Sequence, residues 1–154
     1  MKSAKGGFKN IYAVRLEPGE DVMEGLESVC EKYGIEHGGI ITAIGSLEGA
    51  SFFDPSELPG KLGLYGYGDP IELPAPVELI SLDGIICKGD DGKRQFHLHC
   101  ALADEKGVAY AGHFKEGNRV LSTVEMLIGE VEGIYMSRTI DSLRGVPFFI
   151  PKQL

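Results

Sequence analysis

The chain has 154 residues, 43% hydrophobic and 25% charged, which is one ordinary globular domain with enough length to bury a core. Its net charge of −8 argues against a dedicated nucleic-acid binder, because phosphate neutralisation needs a basic surface and no Lys/Arg run occurs. No apolar run approaches the roughly 20 residues of a membrane-crossing helix, and Ile11 to Leu16 is too short for a signal-peptide core and contains Arg15. The expectation is therefore a soluble cytoplasmic protein without a membrane partner. The cysteines, Cys30, Cys87 and Cys100, are odd in number and form no C-x-x-C pair, so they read as small buried hydrophobes in a reducing compartment.

The 22 glycines fall between short apolar runs and suggest many turns in a strand-rich α/β fold of the α+β type. Asn10 to Leu16 is the first expected strand, broken by Glu17-Pro18-Gly19. Asp21 to Tyr33 is the clearest helix: Val22, Leu26, Val29, Cys30 and Tyr33 form an apolar stripe. Glu20 and Asp21 suit its N-terminus, and Gly34 suits the position after its last turn. Gly39 to Phe53 reads as one or two strands bent at glycine. Asp54 to Pro70, rich in Gly and Pro, reads as a long irregular loop carrying Tyr65 and Tyr67. Val77 to Cys87, Arg94 to Ala103, Val108 to Phe114 and a segment within Val120 to Glu132 are further strands. The tail, 137–154, is apolar enough to pack on the domain or on a neighbouring subunit. Neither an internal repeat nor a domain boundary is visible, so 1–154 reads as a single domain.

The chemistry lies in three of the four histidines. Strand side chains alternate between faces. In Arg94–Ala103, Phe96, Leu98, Cys100 and Leu102 share one face, and His97, His99, Ala101 and Ala103 share the other. In Val108–Phe114, Tyr110 and Phe114 oppose Ala109, Ala111 and His113. A three-residue loop, Glu105-Lys106-Gly107, with Gly107 left-handed, pairs Asp104 with Val108 and His113 with His99. A shift by two residues pairs His113 with His97 instead. Both registers put three imidazoles on one face, and the hydrophobic pattern opposes a shift by one. Three neutral imidazoles at this spacing suit one divalent metal ion, zinc or another transition metal, with a coordination position left open. The alanines leave room beside it. His37 lies outside the pattern and reads as structural or exposed.

Two further residues are candidates. Glu125 shares a strand face with Thr123 and is a candidate metal ligand, supporting group or catalytic base, or a surface glutamate. Arg15 stands in an apolar strand and is a candidate anion anchor in the same cleft, or the member of an ion pair.

The sequence resembles the plants-and-prokaryotes-conserved (PPC) domain family. The resemblance rests on Val14-Arg15-Leu16-Glu17-Pro18-Gly19-Glu20-Asp21, Ala43-Ile44-Gly45-Ser46, residues 76–84 (Pro-Val-Glu-Leu-Ile-Ser-Leu-Asp-Gly), His97-Leu98-His99 and Ala111-Gly112-His113. These stretches run in the expected order between about residues 10 and 134. The resemblance implies a compact domain with a central, mainly antiparallel sheet, flanking helices and homotrimeric assembly. It also implies a metal site, commonly assigned to zinc, at His97, His99 and His113. In plants the domain accompanies AT-hook motifs that supply DNA binding; this chain has no Arg-Gly-Arg-Pro stretch. Three functions remain in competition: a metal-dependent enzyme or small-ligand binder, a DNA-binding or regulatory oligomerisation module, and a domain stiffened by a structural metal.

Overall fold

A computed structural model describes all 154 residues. In chain order the elements are β1 (Gly7–Leu16), α1 (Val22–Tyr33), β2 (Gly38–Phe53), β3 (Pro55–Glu57), β4 (Tyr65–Tyr67), β5 (Ile71–Lys88), β6 (Arg94–Ala103), β7 (Ala109–Phe114), β8 (Val120–Glu132), β9 (Ile134–Ile140) and β10 (Pro147–Gln153). Eight strands form one sheet and β3–β4 form a separate hairpin.

Strand β2 organises the sheet. One edge pairs with β8, from Gly38↔Glu130 to Leu47↔Val120, and β8 in turn pairs with β1. The other edge pairs with β5, from Gly38↔Ile86 to Phe52↔Ile71. From β5 the sheet continues through β6 to β7 and curls until β7 meets the end of β2, at Phe52↔Phe114 and Phe53↔His113. β7 is therefore held along both edges. At the far end of β5, Lys88 pairs with Ser137, which attaches the β9–β10 hairpin.

Burial follows strand parity. Leu98, Cys100 and Leu102 of β6 and Phe114 of β7 are 0–4% exposed and join Leu47, Phe52, Leu79, Leu82, Ile86, Val124 and Ile128 in one core. Helix α1 closes that core with Val22, Leu26 and Cys30. Each of the large side chains contributes about 1.5–3 kcal/mol through burial, so a one-residue slip of β6 or β7 loses several kcal/mol. That is a large part of the roughly 5–15 kcal/mol that holds a domain folded.

The structure corrects the reading from sequence at several points. There is one helix, where flanking helices are implied by the family resemblance. Helical periodicity occurs only around 21–33; elsewhere apolar residues alternate or are punctuated by glycine, and the sheet supplies the rest of the fold. The segment from Asp54 to Pro70 contains the β3–β4 hairpin rather than a structureless loop. β5 begins at Ile71, ahead of the expected Val77, and runs 18 residues. β2 is one 16-residue strand. The tail forms β10 and part of β9. No helix is long and apolar enough to cross a membrane.

Asp21 connects helix and sheet. Its Oδ1 accepts from the Met23 and Glu24 amides at 2.9 and 3.1 Å, capping α1, and its Oδ2 accepts from the Gly117 amide at 2.8 Å. Losing a cap of this type costs about 0.5–2 kcal/mol, and the Gly117 amide loses its partner as well. Asp21→Ala is expected to lower stability in urea by about 2 kcal/mol, and Asp21→Asn by less, because an amide oxygen still caps the helix.

Candidate metal centre

The hairpin turn sets the site. The Asp104 amide donates to the Val108 carbonyl at 3.1 Å, and the Gly107 amide donates to the Asp104 carbonyl at 2.9 Å. The Asp104 carboxylate accepts from the Lys106 and Val108 amides, each at 2.9 Å. Gly107 has φ +76°, a conformation that favours glycine. The resulting register pairs Ala103 with Ala109 and His99 with His113. Of the two registers open from sequence, it is the one in which Asp104 meets Val108.

Gly112 has a different task. A Cβ there would lie 2.5 Å from Phe52 Cδ2 and 2.7 Å from the Phe53 carbonyl oxygen. The missing side chain lets the end of β2 close against β7 beside His113.

The imidazoles of His97, His99 and His113 converge. Their ring centroids are 5.0, 5.3 and 5.5 Å apart, and one ligand atom from each lies within 4.8 Å of the others. His97 Nε2 and His99 Nε2 are 3.3 Å apart. Two imidazole nitrogens on a tetrahedral zinc ion, each at about 2.0–2.1 Å, stand about 3.3–3.4 Å from one another. His113 Nδ1 is buried without a hydrogen-bond partner. The donor set, spacing and orphaned nitrogen fit a divalent transition metal.

Electrostatics favour free lone pairs. Burial first, then the charge of Arg138 and the neighbouring imidazoles, pushes His97 down to about 4. Burial, His99 and Arg138 push His113 down to about 4. Both rings are therefore neutral at pH 7, the form in which imidazole binds metal.

Two residues that sequence reasoning did not single out frame the cluster. Tyr67 of β4 stacks on His113 with ring centroids 4.5 Å apart, and on Phe53 at 5.7 Å. Arg138 of β9 follows the residue that pairs with Lys88 of β5. Beneath this end of the sheet, Cys87 shares a face with His97 by its pairing with Gln95, yet is fully buried. The Gly/Pro-rich segment marked Tyr67 as part of an unusual excursion. For Arg138 the only signal was a cation between Met136 and Ile140 in an apolar tail.

The structure does not bring Glu125 or Arg15 to the histidines. Glu125 is exposed on β8, opposite Arg15 of β1 and Ile44 of β2. Arg15 pairs with Glu17 and is also exposed. Strand parity assigns Glu125 to a face, but Glu125 meets β2 at Ile44, well along the strand from Phe53, where β2 meets His113. His37 also lies apart, edge-on to Tyr135 at 4.8 Å. Cys100 faces the core, and burial raises its thiol to about 11.

The whole chain can now be set beside known proteins. Residues 3–132 match the Plants and Prokaryotes Conserved domain, abbreviated PCC or PPC. The chain belongs to this family. A PPC protein from Pyrococcus horikoshii superposes with a TM-score of 0.82 at 27% identity, covering 100% of both chains. A metal-containing protein from Archaeoglobus fulgidus gives a TM-score of 0.82 at 25% identity, covering 97% of this chain and 99% of that one. A candidate DNA-binding protein from Bacteroides thetaiotaomicron shares the fold, with a TM-score of 0.75 at 21% identity over 97% of this chain and 96% of that one. Among curated proteins, the bifunctional protein GlmU of two Synechococcus strains is 29% identical over 139 residues, which is 90% of this chain. The chain spans only 20% of the length of those relatives.

For this PPC domain the depressed histidines define a titration. The unfolded chain takes up protons near 6.5, whereas folded His97 and His113 resist until about 4. The contribution of these two histidines to the stability of the metal-free protein is therefore constant above about pH 6.5 and is lost as pH drops toward about 4. Nuclear magnetic resonance of the metal-free protein is expected to show His97 and His113 titrating near 4, with neither near 6.5.

Proposed function

We propose that this PPC domain binds one divalent metal ion, zinc in the first instance, through His97, His99 and His113, and presents it to a small ligand or substrate. The observation that carries the reading is the convergence of three imidazoles, two of them at the nitrogen separation of a tetrahedral zinc site. Three protein ligands leave a position for an outside atom, whereas a structural zinc is usually closed by four. His99 is exposed, so that position is reachable from solvent. A metal there supplies Lewis-acid polarisation or a nucleophilic water at neutral pH. The chain's own residues hold His97 and His113 neutral and cover one side of His113 with the Tyr67 ring. The metal-containing relative from Archaeoglobus fulgidus supports this assignment.

The same reading includes self-association as a homotrimer. Ile11, Ile44, Ile80 and Leu127 are 58, 52, 48 and 38% exposed on β1, β2, β5 and β8. They alternate with buried neighbours such as Ala43, Leu79, Met126 and Ile128, so they share the outer face of the sheet. An apolar sheet face of this extent, uncovered by any helix, suits a second copy of the chain. The buried cysteines, none in a disulfide, suit a reducing cytoplasm. DNA binding is not part of this reading. It would have to work against a net charge of −8, and the relative described in that way is similar only at the level of fold.

Protein purified without a histidine tag is expected to hold about one metal ion per chain, and the His97→Ala/His99→Ala variant close to none. Metal content that is low and the same in both contradicts the reading. Sedimentation is expected to give three times the chain mass of 16.6 kDa, with Ile44→Asp shifting the distribution toward monomer.

A further inference from the structure

We infer that Arg138 anchors an oxyanion, a carboxylate or phosphate group of the ligand, that spans its guanidinium and the metal at His97, His99 and His113. The inference rests on the metal reading above and adds the chemical class of what the site receives.

Every other arginine in the chain has an evident structural partner. Arg94 pairs with Glu27 and donates to the Ile35 carbonyl; Arg15 pairs with Glu17; Arg144 lies 3.7 Å from Asp141; Arg119 donates to the Gly19 carbonyl at 2.8 Å. Arg138 has no carboxylate within ion-pair distance. Its Nε is buried with no hydrogen-bond partner, and its one contact is a long 3.4 Å donation to the Pro147 carbonyl. A guanidinium brings five donors in a planar fork shaped for carboxylate or phosphate. Leaving the buried Nε unpaired is costly, and the half-exposed remainder of the fork is open to a partner from outside the chain.

Position points to the same ligand. Arg138 follows the bridge that ties β9 to β5, and β5 in turn pairs with β6, which carries His97. Lys88 pairs with both Ser137 and Arg94, so Arg138, the next residue along β9, projects to the face that carries Gln95 and His97. An imidazole ligand contributes no negative charge. A divalent ion and a guanidinium would therefore share the site with no carboxylate of the chain paired to the guanidinium. Asp83, across from His99, bonds the Ser81 hydroxyl, and neither it nor Asp54 pairs with Arg138. An oxyanion would answer both deficits, since its oxygens can serve a metal held by the histidines and the guanidinium fork together.

The test uses the full chain loaded with cobalt(II), whose visible spectrum reports a new oxygen ligand. Inorganic phosphate and acetate are titrated separately, and the tighter of the two identifies the source of the oxyanion. Saturable spectral change is expected for the parent protein. Arg138→Gln is expected to weaken binding by about tenfold or more, the range of a charge-assisted hydrogen bond, and Arg138→Lys by less. Cobalt affinity is expected to be unchanged or tighter in Arg138→Gln, since a nearby positive charge is gone. Circular dichroism establishes that each variant is folded; if Arg138→Gln does not fold, Arg138→Lys carries the comparison, with weaker anion binding still expected. Cobalt binding with anion affinity unaltered in the folded variants overturns the inference while leaving the metal site intact. Absence of cobalt binding overturns both.

Discussion

The pairing of His99 with His113 is the constraint on which the site depends. It is a backbone register, held by forces outside the imidazoles. The Asp104 carboxylate and the left-handed Gly107 shape the turn. Leu98, Leu102 and Phe114 oppose a slip because they would leave the core for the outer face. The end of β2 then closes on the other edge of β7, where Gly112 leaves room for Phe52 and Phe53. The side chains that build the core thus position histidines that do not belong to it.

The surroundings turn a cluster into a chemically distinct place. The β3–β4 hairpin delivers Tyr67 onto His113, and β9 delivers Arg138. Partial burial and the nearby cation act together: both favour neutral rings over imidazolium. Neutral rings suit a metal, and a metal beside an unpaired arginine suits an anion. The proposed activity and the inferred ligand class follow from one pattern, in which positive and neutral groups are assembled and the negative partner is left to arrive.

Much of this was legible in the residues themselves. Period-two alternation separates His97 and His99 from Leu98 and Cys100, and the Gly107 turn carries the argument from one strand to the next. Strand parity also places Glu125 and Arg15 on a face, but parity says nothing of position along a neighbouring strand: Glu125 meets β2 at Ile44, whereas His113 meets it at Phe53, at the strand's far end. Tyr67 and Arg138 were illegible for the same reason. They reach the site through the hairpin after β2 and a single bridge between β5 and β9, contacts between segments far apart in sequence. The expectation of several helices came from family resemblance; local periodicity supports only the helix that is present.

The most direct test is anomalous diffraction at the zinc edge from crystals of the untagged protein. One peak within about 2.0–2.1 Å of a nitrogen from each of His97, His99 and His113, with a non-protein atom completing the coordination, is the result predicted here. Full-occupancy metal bound elsewhere, or no anomalous peak among the three imidazoles in zinc-supplemented crystals, would contradict it.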